Sequence, residues 1–281
     1  MGRRLIDNSK LNVIKYDGLP DFFSALKKNR VSGRDNSSDT ASYDFTGTHS
    51  FNEAYNLMVK GDRESYDMVV KLKKMTDALF RMDKSVKRKP VIAPEGYQPH
   101  VPNAIKGLPN SMMSQQRVKA EKKVIDVFYN SSISWMEDPE NLAYRGAIML
   151  SAIQTLETKG YSINLYLGKL SNSSRTGKLT GFVVNIKHSY QRLNVFKSSF
   201  YLVNPSFLRR ISFRVLEVES DMTDLTQGGY GSVTGKASYE NELKEHLLDN
   251  AVIFDSSTGI NINNDSSENL KEVKKLFGGR L

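Results

Sequence analysis

VIDVFYNSSISW, residues 124–135, is the stretch on which the reading of this sequence turns. Val124 to Asn130 form a short β-rich run that breaks into serines, the pattern of a buried strand ending in a turn. Outward from it, ENLAYRGAIMLSAIQTLETKG (140–160) predicts a long helix. Leu142, Ala143, Ile148, Leu150, Ile153 and Leu156 lie on or near one face of that helix, and Gly160 supplies its stop. YSINLYLG (161–168), GFVVNIKHS (181–189), FRVLEVE (213–219) and AVIFD (251–255) read as further strands. Helices are expected near Leu193–Phe200, Tyr239–Leu248 and Ser267–Phe277. Strands alternating with helices predict an α/β fold whose sheet is mainly parallel and covered on both faces. The order is Rossmann-like, and no internal repeat interrupts it.

Three regions follow: a basic, mostly helical stretch over 1–89, a proline-rich arm over 90–117, and an α/β core over 118–281. In the first, Ser50 with Glu53 makes a capping box that starts a helix at Phe51, and Gly61 ends it. A second helix is expected from about Glu64 to Met82, with Met68, Leu72, Met75, Leu79 and Met82 as its apolar stripe. The polar run SGRDNSSDTAS (32–42) reads as a surface loop or mobile segment. Five of the eight prolines fall between Pro90 and Pro109. Proline fixes φ and removes a backbone donor, so an extended arm is expected there rather than helix or sheet. Its Val, Ile, Tyr and Leu residues suit contact with the protein's own core or with a neighbouring subunit, which makes the arm a route to a homo-oligomer.

Composition sets the limits. The chain has 281 residues, 39% hydrophobic and 25% charged, enough to bury a core. No apolar run approaches the ~20 residues of a membrane span, and MGRRLIDNSK has no apolar stretch behind its basic residues. With no cysteine, thiolate chemistry and cysteine metal sites are excluded. The expectation is a cytoplasmic protein with no membrane partner. Its net charge of +9 is uneven: residues 1–123 hold 23 Lys/Arg against 14 Asp/Glu, whereas 124–281 hold 17 of each. That asymmetry points either to a polyanion such as nucleic acid or to a solvated basic surface. Lys84, Lys87, Arg88 and Lys89 are the candidate nucleic-acid contacts. Few aromatics lie among them, so binding would go through the phosphate backbone and weaken with salt.

Asn130, Ser132 and Ser134 occupy alternate positions just past the strand, where parallel α/β sheets bind ligands. The pattern resembles the opening of a von Willebrand factor A domain, in which D-x-S-x-S at a strand end coordinates a divalent cation. The resemblance implies Mg²⁺ or Ca²⁺ held by hard oxygen ligands. This sequence departs from the motif by placing Asn130 where the aspartate belongs. It also lacks a threonine ligand in the next loop and a T-D-G-like turn, offering Glu217, Glu219 and Asp221 instead. A degenerate site without metal or cofactor is the expectation. Asn and Ser in this position also read as turn and helix-capping residues.

NPSFLRR (204–210) offers Asn204, Ser206, Arg209 and Arg210 as an anion or partner contact, since arginine forks fit phosphates and carboxylates. GGYGSVTGK (228–236) is not a phosphate loop: Tyr230 replaces the required glycine and Ala237 the required Ser or Thr, which leaves a mobile surface loop. His49, His100, His188 and His246 show no metal spacing. No G-x-S-x-G elbow is present. FTGTHSFNEAYNLMVKGD (45–62), GYQPHVPNAIKGLPNSMM (96–113), LSAIQTLETKGYSINLYL (150–167), VNPSFLRRISFRVLE (203–217) and GGYG (228–231) resemble an uncharacterised family of bacteriophage and prophage proteins. The resemblance implies a viral origin and a cytoplasmic setting in the infected host. The expected function is non-enzymatic, an adaptor or oligomeric scaffold binding a phage or host protein. The alternative is a phage nucleic-acid-binding protein using the basic half.

Overall fold

The computed structural model describes residues 2–77, 88–117, 123–134, 137–226, 229–249 and 251–278. The chain divides into two compact units, residues 1–81 with 124–281, and residues 82–123. In chain order the strands are β1 (Arg3–Asp7), β2 (Leu11–Tyr16), β3 (Arg88–Ala93), β4 (Gln98–Pro99), β5 (Met112–Arg117), β6 (Val124–Asn130), β7 (Ser162–Asn172), β8 (Leu179–Lys187) and β9 (Val252–Phe254).

The larger unit is built on a six-stranded, mostly parallel sheet in the order β1-β2-β8-β7-β6-β9. β6 runs parallel to both of its neighbours, β7 and β9. β2 is parallel to β8, while β7–β8 and β1–β2 are antiparallel. Side chains sort onto the two faces with the strand period of two. Val127, Tyr129, Leu165, Leu167, Phe182 and Val184 join one apolar layer. Phe128, Tyr166, Leu170, Val183 and Ile253 join the other, against Tyr239, Leu243 and Leu247. Burial on both faces is why Val127, Phe128 and Tyr129 follow one another as an unbroken apolar run.

The helix Pro139–Thr158 starts at Asp138, whose carboxylate accepts the Glu140 amide. It is buried almost all round, because the helix Val195–Val203 crosses it at close range. A Cβ on Gly146 would lie 1.8 Å from the Leu202 carbonyl oxygen, so only glycine permits this approach. The helix Phe51–Lys60 begins at Ser50, whose hydroxyl accepts the Glu53 amide at 3.2 Å, and stops at Gly61 with φ of 100°.

The structure corrects four expectations. The mostly helical N-terminal stretch opens with two strands that its composition did not announce: β1 and β2 extend the sheet, and Leu11, Val13, Ile14 and Tyr16 bury as a strand should. FRVLEVE is not a strand. Residues 205–218 form one helical run with a π-helical turn at Phe207–Ser212, and Phe213–Val218 is its last part. Pro205, next to the capping Asn204, is the start signal, since proline suits the first helical position. In the helix Arg63–Asp77, Val69 is buried while Met68 of the expected stripe is exposed. Leu79 and Met82 lie outside the described residues.

The fourth correction concerns the arm. Within the smaller unit, residues 88–117 form a three-stranded sheet, β3-β5-β4, with a short helix Val101–Ile105. Its prolines fit this sheet by position. Pro90 and Pro99 sit in the two edge strands, Pro102 lies in the first turn of the helix, and the central β5 has none. Edge strands and helix starts are the places where a missing N–H does no harm.

Candidate functional site at the carboxyl edge of the sheet

Asn130 ends β6 at the carboxyl edge of parallel strands and is 2% exposed. Its amide is fully engaged. Oδ1 accepts the Leu170 N–H at 3.1 Å and the Ser132 N–H at 3.2 Å. Nδ2 donates to the Leu170 carbonyl at 3.2 Å and to the Tyr239 hydroxyl at 3.4 Å. That hydroxyl in turn donates to Asp255 Oδ2 at 2.8 Å. Burial, and then the Asp255 carboxylate, push the Tyr239 phenol far above its ordinary range, which keeps it a donor. Ser132 Oγ lies 3.1 Å from Ser171 Oγ. Ser134 is half-buried, and its carbonyl accepts the Glu137 N–H.

A divalent cation does not fit this donor set. Each lone pair of the Asn130 oxygen already faces an N–H, and among the described residues no carboxylate joins Asn130 and Ser132 except through the Tyr239 hydroxyl. Elsewhere among the described residues, Glu242, Glu245 and His246 bring ligand atoms within reach of one another. They sit on the outer side of the short helix Glu240–His246, with Glu242 already paired to Lys10.

The NPSFLRR residues are brought together, and three of the four are structural. Asn204 accepts the Ser206 N–H at 2.8 Å and donates to Asp62 at 2.8 Å. Ser206 donates to the Thr46 carbonyl at 2.7 Å and meets Thr48 Oγ1 at 2.7 Å. Arg210, 1% exposed, donates to Thr48 Oγ1 and to the carbonyls of Ser38, Asp39, Ala41 and Thr48. These bonds fasten residues 38–48 to the π-helical turn. The polar run at 32–42 is therefore no mobile loop over Ser37–Thr40. Ser38 is fully buried and gives its N–H and hydroxyl to the Glu217 carboxylate at 2.8 and 2.6 Å.

Arg209 differs from its neighbour. Its guanidinium carbon lies 5.0 Å from the Phe45 ring centre and 5.3 Å from that of Phe213. The sequence reading missed the group beside it, Lys169, which lies three residues before the end of β7 and is 3% exposed. Lys169 Nζ donates to Ser171 Oγ and to the Tyr230 carbonyl, each at 2.7 Å. Burial first, then the positive charge of Arg209, lower the Lys169 ammonium to about 7. Tyr230 stacks on Phe213 at 4.0 Å, and its φ of 66° places a non-glycine residue in the left-handed region. The glycine-rich loop is thus anchored at Tyr230, 4% exposed, while Gly229, Ser232 and Val233 lie at the surface and Gly228 is outside the described residues. A lysine between Gly168 and Leu170 in an apolar run was the available signal.

Of the basic cluster, Lys84 and Lys87 lie outside the described residues, as do the side chains of Arg88 and Lys89 at the start of β3. No described helix is long and apolar enough to cross a membrane. Residues 5–280 match a family described as "Domain of unknown function (DUF7192)". No curated protein matches the chain, and neither does any solved structure.

Proposed function

The chain belongs to the family described as Domain of unknown function (DUF7192), and from that premise we propose that it holds a partner protein and catalyses no reaction. The observation that carries this reading is the surface of the smaller unit. Ile105 is 81% exposed, Tyr97 and Val101 are 60% exposed, and Ile92 and Leu108 are also uncovered. Between Pro90 and Gln115 no residue is buried. Single exposed apolar residues are ordinary, but five large ones within 17 residues of chain mark a docking surface. Each such side chain gains about 1.5–3 kcal/mol when fully covered.

The larger unit supports a scaffold of von Willebrand A-like build. Its β6, one strand in from the edge, is parallel to both neighbours, ends in Asn130 at the carboxyl edge and leads towards a long helix. The Asn130 amide is committed to holding β6 against β7, which suits a frame that binds without reacting. The partner we propose is a phage or host protein in the cytoplasm of an infected cell, on the strength of the phage-like sequence stretches.

The test is affinity capture with the full chain, comparing the wild type with a Val101→Asp, Ile105→Asp variant. The expected result is one partner retained by the wild type and lost by the variant, with unchanged thermal unfolding. Equal retention by the two proteins overturns the reading, as does hydrolysis of a nucleotide or nucleic acid that a point substitution abolishes.

The uneven charge favours a second reading, nucleic-acid binding by the basic half. It requires affinity for DNA or RNA that falls steeply with salt and is lost when Lys84, Lys87, Arg88 and Lys89 are neutralised.

A further inference from the structure

Lys169 and Arg209 approach the same Phe213 ring, with Nζ at 5.8 Å and the guanidinium carbon at 5.3 Å from its centre, and neither is paired with a carboxylate among the described residues. The other buried basic groups of the larger unit show what is missing. Lys187, equally buried, reaches the Glu157 carboxylate at 2.7 Å. Arg145 is paired with Glu137. Arg210, one residue from Arg209, has hydroxyl and carbonyl acceptors around its whole fork. Lys169, by contrast, meets a serine hydroxyl, a main-chain carbonyl and the Phe213 ring, whose centre is 5.8 Å from its Nζ, and Arg209 donates no hydrogen bond to any described residue.

Such an arrangement is costly as a purely structural device. A buried ammonium is normally paired, because its lost hydration must be replaced. Two like charges in mutual reach raise the cost further. The aromatic rings of Phe45 and Phe213 approach Arg209, and a ring face holds a guanidinium without using its N–H groups. Those donors stay available in the guanidinium plane, the geometry that grips two oxygens of one anion. Lys169 keeps one of its three N–H donors beyond those given to Ser171 and Tyr230. The surrounding backbone is also unusual: Arg209 sits on a π-helical turn and Tyr230 is held at positive φ. Features of both kinds are enriched where a protein binds something.

We propose that Lys169 and Arg209 together form a binding site for a doubly charged oxyanion, the phosphate group of a small molecule or free phosphate. Arg209, half-buried, is the solvent-side grip and Lys169 the inner one. The anion takes the hydrogen bonds that the protein leaves open, and its charge favours the protonated form of Lys169 that burial disfavours in the free protein. This site lies in the larger unit and is independent of the apolar surface proposed to bind a partner.

The test uses the full chain, with inorganic phosphate, sulfate and acetate each compared with chloride at equal ionic strength, read by titration calorimetry and thermal unfolding. The wild type should bind phosphate and sulfate, and Arg209→Gln should weaken binding by about tenfold or more, the worth of a charged hydrogen bond. Lys169→Met keeps the side chain's bulk, so it should fold, be more heat-stable than the wild type without phosphate, and show no phosphate-specific stabilisation. AMP is the further probe. Tighter binding of AMP than of phosphate assigns the group to a nucleotide, and the reverse assigns the free ion; each supports the site. Equal effects of acetate and sulfate overturn the dianion assignment. Absence of phosphate binding, or binding unchanged in the two variants, overturns the proposal.

Discussion

The side-chain amide of Asn130 pairs with both main-chain groups of Leu170, accepting its N–H at 3.1 Å and donating to its carbonyl at 3.2 Å. The side chain thus behaves as one more rung of the ladder between β6 and β7. An aspartate at this position has no N–H to give the carbonyl, and its charge would enter a buried site that already holds Asp255. Asn130→Asp should therefore destabilise the fold by about 2–4 kcal/mol, the range for breaking buried polar pairs. Urea unfolding measures this. Adding Mg²⁺ or Ca²⁺ should restore none of the loss; cation-dependent recovery would show a site able to bind metal.

Arg210 ties Ser38, Asp39, Ala41 and Thr48 to the π-helical turn, and its own burial leaves no water to replace it. Arg210→Met should cost about 3–5 kcal/mol, because several buried acceptors lose their donor at once. Limited proteolysis should then cut first between residues 38 and 48. A variant as stable as the wild type, with that segment still protected, would remove Arg210 from its structural role.

The core strands were legible because composition and burial agree there. β6 falls on VIDVFYN, residue for residue, and the helix Pro139–Thr158 lies within two residues of its sequence prediction. FRVLEVE misled for a physical reason. Phe213, Val215, Leu216, Glu217 and Val218 are all buried, so no polar face marks the helical period. Its acidic residues are paired far along the chain: Glu217 with Arg30 at 2.7 Å, and Glu219 with Lys28 at 2.8 Å. Long-range pairs of this kind leave no local trace. The same holds for Lys169, whose neighbour Arg209 is 40 residues away in sequence and whose significance lies in having no carboxylate partner among the described residues.

Gly146 marks the closest approach of two helices. Its missing side chain admits the Leu202 carbonyl, which would lie 1.8 Å from any Cβ. Gly146→Ala must part the helices or distort one of them, and overpacking of this kind costs about 1–3 kcal/mol. The substitution should lower the melting temperature even though alanine favours helix more than glycine does. A neutral or raised melting temperature would mean that the two helices slide apart freely.

The pH dependence of stability follows from Lys169. Its ammonium falls from an ordinary 10.5 to about 7 in the folded chain. Between these values the unfolded chain holds the proton and the folded chain has released it. Stability therefore rises with pH across that window, and the penalty for burying the charged form is fully present below about pH 7. The slope contributed by one such group reaches at most about 1.4 kcal/mol per pH unit. Other groups titrate as well, so the informative quantity is the difference from Lys169→Met, which cannot take up a proton. That variant should be the more stable protein at about pH 6, and the gap should narrow steadily towards about pH 9. Urea unfolding of the two proteins across this range, in chloride and without phosphate or sulfate, measures the gap. A gap that stays constant or widens with pH would mean that Lys169 keeps its proton in the folded chain, and that burial beside Arg209 does not control its charge.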